Sequence, residues 1–190
     1  VFRIFDSLND LDSMRVSVER VLKTGRIAEV AMCYTGDVDN PARTKYSLDY
    51  YVDLAKRIED LGVHILCVKD MAGLLRPQAA RQLITKLLET TELPIHLHTH
   101  DTSGNGIATY IAAIESGVHI VDTALSPMAG LTSQPSMNAL IAALRGHARE
   151  TQLTNRKMQP LADYWEGVRE FYTPFECGLK SSTSEVYYHE

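Results

Sequence analysis

HILCVKDMAGLLRPQAARQLITKLLETTELPIHLHTHD, residues His64 to Asp101, is the stretch that decides the fold. It opens on a short apolar run closed by Lys69, continues from Pro77 to Thr90 with apolar residues at helical spacing, and returns to an apolar run from Pro94 to His100. Two short buried strands flanking an amphipathic helix are the pattern of βα units and a parallel sheet. Outward from this unit the alternation continues. It predicts further strands at about Val1 to Phe5, Ala28 to Tyr34 and Val118 to Thr123, and helices at about Leu11 to Lys23, Ser47 to Leu61, Gly106 to Ser116 and Gln134 to Arg149. Gly25, Gly62 and Gly117 stand where helices end in a left-handed residue, and Pro77 stands where a first helical turn tolerates it.

The polar residues are unevenly placed. They crowd just past the strands' carboxyl ends, as Asp6-Ser7-Leu8-Asn9, Tyr34-Thr35-Gly36-Asp37, Lys69-Asp70-Met71, His100-Asp101-Thr102-Ser103 and Asp122-Thr123. Both a (β/α)8 barrel and an open doubly wound sheet carry their chemistry on that edge. A closed barrel needs eight strands and typically about 250 residues, so five units are an open sheet or most of a barrel, and the pattern alone leaves both open. The style changes near Thr151. A further helix is predicted from Leu161 to Tyr172 around the single Trp165, followed by a loop-like segment from Thr173 to Glu190 with a strand-like Val186-Tyr187-Tyr188. The chain therefore divides into 1–150, the βα units, and 151–190, the start of a helical segment.

With 190 residues, 45% hydrophobic and 23% charged, the chain can bury a substantial core. A net charge of -5 gives no electrostatic footprint for nucleic acid. No basic run suggests a membrane surface, and no window reaches the roughly 18 apolar residues of a membrane span. Cys33, Cys67 and Cys177 are odd in number and lack CxxC spacing, so free thiols in a reducing compartment are expected. The absence of an initial Met suggests an excised piece.

His96, His98 and His100 occupy alternate positions at a strand's end, where side chains two apart point the same way. Neutral imidazole is a common transition-metal ligand. A hydrogen-bonded pair of core histidines is the competing reading, and several on one face followed at once by Asp101 favour the metal. Parity alone does not choose among the three. Lys69 closes the preceding strand, so its amine would lie beside them; a buried amine is costly unless paired or neutralised. A salt bridge to Asp70 or Asp101, a nucleophilic amine, and a carbamate formed with carbon dioxide are all open. Two neutral imidazoles leave a divalent charge uncompensated, which raises the standing of the carbamate as an anionic oxygen ligand.

Phe2-Arg3-Ile4-Phe5-Asp6-Ser7-Leu8-Asn9, Cys33-Tyr34-Thr35-Gly36-Asp37, Val68-Lys69-Asp70-Met71-Ala72-Gly73-Leu74-Leu75, His96-Leu97-His98-Thr99-His100-Asp101-Thr102-Ser103-Gly104 and Gly130-Leu131-Thr132-Ser133-Gln134-Pro135-Ser136 resemble, in order and spacing, the carboxyltransferase domain of the pyruvate carboxylase family. That family lies within the biotin-dependent carboxyltransferase and HMG-CoA lyase-like superfamily, and the resemblance runs essentially end to end. It implies a TIM-type (β/α)8 barrel, present here as about five C-terminal βα units followed by the start of a post-barrel helical region. It also implies a divalent metal, Zn or Mn in type, held by a carboxylated Lys69 and by His98 and His100, with His96 one layer deeper. A first-strand Asp ligand, substrate-gripping Arg and Gln, and a catalytic Thr have no counterpart here, so no catalytic residue is assigned and the piece alone is expected to be inactive. Asp70 and Asp101 are candidate groups behind the ligands, and Asp6 and Tyr34 candidates for the mouth.

The implied reaction carries a carboxyl group from carboxybiotin to pyruvate, giving oxaloacetate. Its implied partners are pyruvate, a biotin carrier domain, a biotin carboxylase domain and further copies of the same protein, in the cytoplasm of a bacterium or the mitochondrial matrix of a eukaryote. Sodium-pump oxaloacetate decarboxylases are similar around Lys69-Asp70-Met71 but usually carry Ala-Thr-Thr-Gly where this chain has Asp101-Thr102-Ser103-Gly104. Aldol-type synthases and lyases are similar at His98-Thr99-His100-Asp101 but lack a carboxylated lysine.

Overall fold

Strand β2 (Ala28–Tyr34) is buried along its whole length, as befits an inner strand covered on both faces. The computed structural model describes residues 1–189; Glu190, where the second predicted segment ends, lies outside the described residues. β2 is flanked by β1 (Phe2–Ile4) and β3 (Ile65–Asp70), and the sheet continues through β4 (Ile95–Thr99) to β5 (Ile120–Val121). All pairs are parallel and the order is β1-β2-β3-β4-β5. Right-handed crossovers in an unreversed order place every helix on one face of the sheet. A doubly wound sheet reverses its order at a switch point, and this one does not. The open sheet is a segment of a barrel wall.

Register sorts the strands into two faces. Val30, Leu66 and Ile95 form one row and Met32, Val68 and Leu97 the next. Both rows join Met14, Val18, Leu54, Ile58, Leu83, Ile84, Leu87 and Ala113 of the helices in one apolar core. The alternate rows carry Ala31, Cys67 and His96, then Cys33, Lys69 and His98, on the opposite, concave face. Its curvature is visible in one contact. Arg3 of β1 and Asp122, just past β5, sit at opposite edges of the sheet, yet Arg3 Nη1 is 2.6 Å from Asp122 Oδ2. A flat sheet would hold its outer strands about 19 Å apart.

The helices follow their signals. α1 (Leu11–Lys23) and α3 (Pro77–Thr90) have the bounds expected from sequence, and α2 (Leu48–Glu59) and α4 (Gly106–Glu115) differ by two residues or fewer at either end. Asp10 accepts from Asp12 N and Ser47 from Tyr50 N at the starts of α1 and α2, and Pro77 opens α3. Gly25, Gly62 and Gly117 all have positive φ, as expected after a helix. No helix among the described residues is long and apolar enough to cross a membrane.

Four expectations are corrected. The fifth helix, α5, is Met137–Ala143 rather than Gln134 to Arg149. Before it, the carbonyls of Gln134 and Pro135 are taken by Gly130 N and Ala124 N, and Ser136 caps the start; after it, Gly146 at φ +78° marks the turn that ends it. Strand β5 shrinks to two residues because it pairs on one side only, with β4. Val186-Tyr187-Tyr188 lies in a 3-10 turn, Ser184–His189, where Tyr187 rests its ring 4.5 Å from Arg76 and its hydroxyl accepts from Asn105 Nδ2 at 2.7 Å. The last long helix, α6 (Asn155–Tyr172), starts six residues earlier than expected, capped by Thr154, and packs on α5 and the Ser126–Met128 turn.

Leu83 is fully buried against the sheet. Leu83→Ala is expected to cost about 2–5 kcal/mol in urea unfolding; a loss near zero contradicts this core. Cys33 and Cys67 are buried and Cys177 is exposed, so iodoacetamide is expected to label Cys177 alone in the native protein and all three after denaturation, read by mass spectrometry.

Candidate metal centre

His98 and His100 project from the end of β4 onto the concave face, and their Nε2 atoms stand 3.2 Å apart. The other nitrogen of each ring is committed. His98 Nδ1 lies 2.7 Å from Asp122 Oδ2, and His100 Nδ1 lies 2.7 Å from the carbonyl oxygen of Thr132. A carboxylate and a carbonyl can only accept, so each ring in its neutral form carries its proton on Nδ1 and turns an Nε2 lone pair toward the other. Two lone pairs that close repel unless a cation lies between them. Metal–nitrogen distances near 2.0–2.1 Å put adjacent nitrogens about 3.0–3.4 Å apart, so the pair fits one divalent ion.

Lys69 is the register partner of His98 on the neighbouring strand and shares its face. Its amine lies 4.7 Å over the Phe5 ring at the end of β1. Cys33, the register partner of Lys69 on β2, is buried with its thiol 3.4 Å from the Asp6 carbonyl oxygen; burial, the largest influence, raises its pKa.

One layer deeper, His96 is saturated. Its Nδ1 faces Glu29 at 3.2 Å and its Nε2 faces Asp122 at 2.9 Å. Arg3 pairs with both carboxylates and lies 3.2 Å from His96 Nδ1. Glu29 and His96 have side chains only 3% and 6% exposed, so each charge must be matched. Desolvation pulls the His96 pKa down, but hydrogen bonds to Asp122 and Glu29 more than reverse it. Burial pushes Glu29 and Asp122 up, and their hydrogen bonds to His96, Arg3 and, for Asp122, His98 bring both below the usual carboxylate range. Arg3 and His96 thus balance Glu29 and Asp122. Glu29, Cys67 and His96 also offer ligand atoms within 4.8 Å of one another. There, however, the Arg3 guanidinium already supplies the positive charge, and burial raises the Cys67 thiol far above its usual range.

The structure does not bring the other predicted residues to the facing nitrogens of His98 and His100. Asp70 is on the helix side of β3, fully buried, and its carboxylate accepts from Leu74 N at 3.0 Å, Leu75 N at 2.9 Å and Thr99 Oγ1 at 2.7 Å. It builds the β3–α3 loop, while its backbone carbonyl accepts from His100 N at 3.1 Å. Asp101 accepts from Gly106 N at 2.8 Å and so ties down the start of α4. Asp6 lies at the mouth, but its Oδ1 is spent on Leu8 N and Asp10 N. Tyr34 does not line the mouth: it shares the helix face with Asp70 and stacks on Tyr51, ring centroids 5.3 Å apart. Cys33 holds the inward position instead. Glycines let these loops close in: Gly73 has φ +70°, and a Cβ there would lie 2.6 Å from the His100 carbonyl oxygen.

Asp122, Glu29 and Arg3 were not singled out from sequence. Asp122 was visible as a polar residue ending a strand, and counting the alternation of the Ile120-Val121-Asp122 run against His96 and His98 places it on their face. Glu29 carried the clearer signal, a carboxylate inside an otherwise apolar strand.

The carboxylates contribute stability above their unfolded pKa values and lose it as pH falls through the depressed folded values. The raised His96 contributes fully below its ordinary 6.5 and loses its contribution as pH rises through the folded value. In the presence of chelator, the melting temperature is expected to fall at acid pH and again above neutrality, with His96→Gln removing the alkaline decline and making the acid decline shallower, because the Glu29 and Asp122 carboxylates lose a depressing hydrogen bond. An unchanged alkaline limb in that variant contradicts the network.

The HMGL-like family profile matches residues 10–164. The chain is 53% identical over 190 residues to the pyruvate carboxylase of Bacillus subtilis and 47% identical over 193 residues to the human mitochondrial pyruvate carboxylase, covering all of this chain but 17% and 16% of those proteins. Among solved structures, the carboxyl transferase domain of Rhizobium etli pyruvate carboxylase matches with a TM-score of 0.96 at 49% identity, over 98% of this chain and 31% of that one. A Rhizobium etli structure of this domain with pyruvate and biocytin matches equally, at a TM-score of 0.96 and 49% identity. The chain thus spans about one sixth of the length of these curated relatives. With a profile match over most of its length and a fold shared with the Rhizobium etli domain, the chain belongs to the HMGL-like family.

Proposed function

We propose that the full-length protein carrying this chain is a biotin-dependent carboxyltransferase that moves a carboxyl group from carboxybiotin to pyruvate, forming oxaloacetate, as a pyruvate carboxylase does. Residues 1–150 supply five βα units of the barrel's C-terminal part, and 151–190 begin the helical region after it. The observation that carries this reading is the facing pair of Nε2 atoms beside Lys69, in a chain about half identical to pyruvate carboxylases along its entire length.

His98 and His100 hold the cation, each oriented by its Nδ1 partner. Lys69 completes the set as a carbamate: its neutral amine adds to carbon dioxide and releases one proton, which turns a point donor into an anionic oxygen ligand. A divalent ion of the Zn or Mn type supplies, when bound, the positive charge that makes loss of a pyruvate methyl proton feasible. The ring of Phe5 covers the Lys69 amine and limits water there. Asp70 and Asp101 set the two loops that shape the rim. The proton acceptor, a Thr in the family pattern, lies outside this chain. The carboxyl donor arrives on a separate biotin carrier domain charged by a biotin carboxylase domain, in a homo-oligomer. The protein works in the bacterial cytoplasm or, in a eukaryote, the mitochondrial matrix.

Native mass spectrometry of the full-length protein in bicarbonate is expected to find an increment of one carbon dioxide on Lys69, lost with chelator. Lys69→Ala is expected to abolish carboxyl transfer to pyruvate while sparing biotin-dependent ATP cleavage; normal transfer by that variant overturns the role of Lys69.

A further inference from the structure

Resting on the reading of His98 and His100 as metal ligands, we propose that Asp122 is the positioning residue of the centre, fixing the tautomer and ring orientation of His98 and thereby the affinity for the cation. Its Oδ2 takes the His98 Nδ1 proton at 2.7 Å and an Arg3 hydrogen bond at 2.6 Å, while its Oδ1 takes His96 at 2.9 Å. Three donors from two other strands immobilise the carboxylate, so it is a rigid platform for the ring above it. The other tautomer of His98 would set a bare Nδ1 2.7 Å from a carboxylate oxygen, with the longer 3.3 Å contact to Arg3 Nη1 as its one donor, and aim a proton at His100 Nε2, 3.2 Å away. The two ligands are held differently. His100 leans on the neutral carbonyl of Thr132, whereas His98 leans on an anion, which raises the donor strength of its Nε2. Because Arg3 reaches Asp122 from the opposite edge of the sheet, the orientation of His98 is tied to the curvature of the wall.

Asp122→Asn keeps the shape but removes the charge and the capacity to accept three hydrogen bonds. In the full-length protein, chelator competition is expected to find Zn2+ binding weakened about 10- to 100-fold in Asp122→Asn and lost in His98→Gln, with partial recovery in Asp122→Glu. The visible spectrum of Co2+ bound in place of Zn2+ is expected to shift in Asp122→Asn, since a reoriented His98 changes the ligand field. If Asp122→Asn is insoluble, Asp122→Glu, which displaces the carboxylate by one methylene, is read by the same two measurements and is expected to bind more weakly than wild type. Zn2+ affinity and Co2+ spectrum unchanged in the soluble Asp122 variant, with only the melting temperature of the metal-free protein lowered, mark a structural role and overturn the inference while leaving the ligands in place. Full Zn2+ affinity in His98→Gln overturns both.

Discussion

The contact between Arg3 and Asp122 spans the sheet from one edge to the other. Strands spaced about 4.8 Å apart can bring their outermost members within reach of one side chain only if the sheet is strongly curved. The concave face this creates holds Arg3, Glu29, His96 and Asp122 in one hydrogen-bonded group that is mostly screened from water. Each charge is tolerable only because the others are present; removing any one leaves an uncompensated buried ion. Curvature of the wall and neutrality of the group therefore require each other, and the facing pair His98 and His100 is built on top of both.

Alternation along the strands does the sorting. Lys69 and Asp70 are neighbours in sequence, yet one faces the concave side with His98 and the other faces the helices with Tyr34 and Thr99. The buried Asp70 carboxylate is held by three backbone N–H donors and the Thr99 hydroxyl, against a burial that raises its pKa. It shapes the loop that begins α3 and, through its backbone carbonyl, anchors His100. Asp101 does the equivalent at α4, where Gly106 is required because a Cβ would lie 2.7 Å from Asp101 Oδ1. The carboxylates of these two acids support the rim from behind and are spent on its backbone.

What could be read in the sequence follows from how local each signal is. The bounds of β2, α1 and α3 were legible because periodicity, caps and a first-turn Pro all act within a few residues. β5 and α5 were overdrawn because their extent is set by distant partners: a missing neighbour for β5, and the turn hydrogen bonds of Gln134 and Pro135 before α5. The strand-like Val186-Tyr187-Tyr188 had no strand to pair with, and Arg76 and Asn105 captured Tyr187 instead. Lys69 and His98 fall on one face as strand parity and register require, whereas Tyr34 was misplaced although the parity of β2, counted from Glu29, already turned it away from the mouth. Asp122 and Arg3 are 119 residues apart, and no local pattern announces their meeting.

The same residue type at three successive inward positions serves two different purposes, and depth decides which. His96 lies below the rim, where both ring nitrogens meet carboxylates, which raise its pKa and favour a doubly protonated ring that donates to both. Such a ring has no lone pair to offer a metal and acts as a buried cation. His98 stands one layer higher, where Asp122 reaches one nitrogen and the other opens onto His100. His100 is higher still and meets a backbone carbonyl through Nδ1, so its Nε2 is left to face His98 at 3.2 Å and the Gln134 side-chain amide at 3.5 Å. A His-x-His-x-His run therefore does not present three equivalent rings here: the number of carboxylate partners falls from two to one between the first and second rings, and only the upper two turn their Nε2 atoms toward one another.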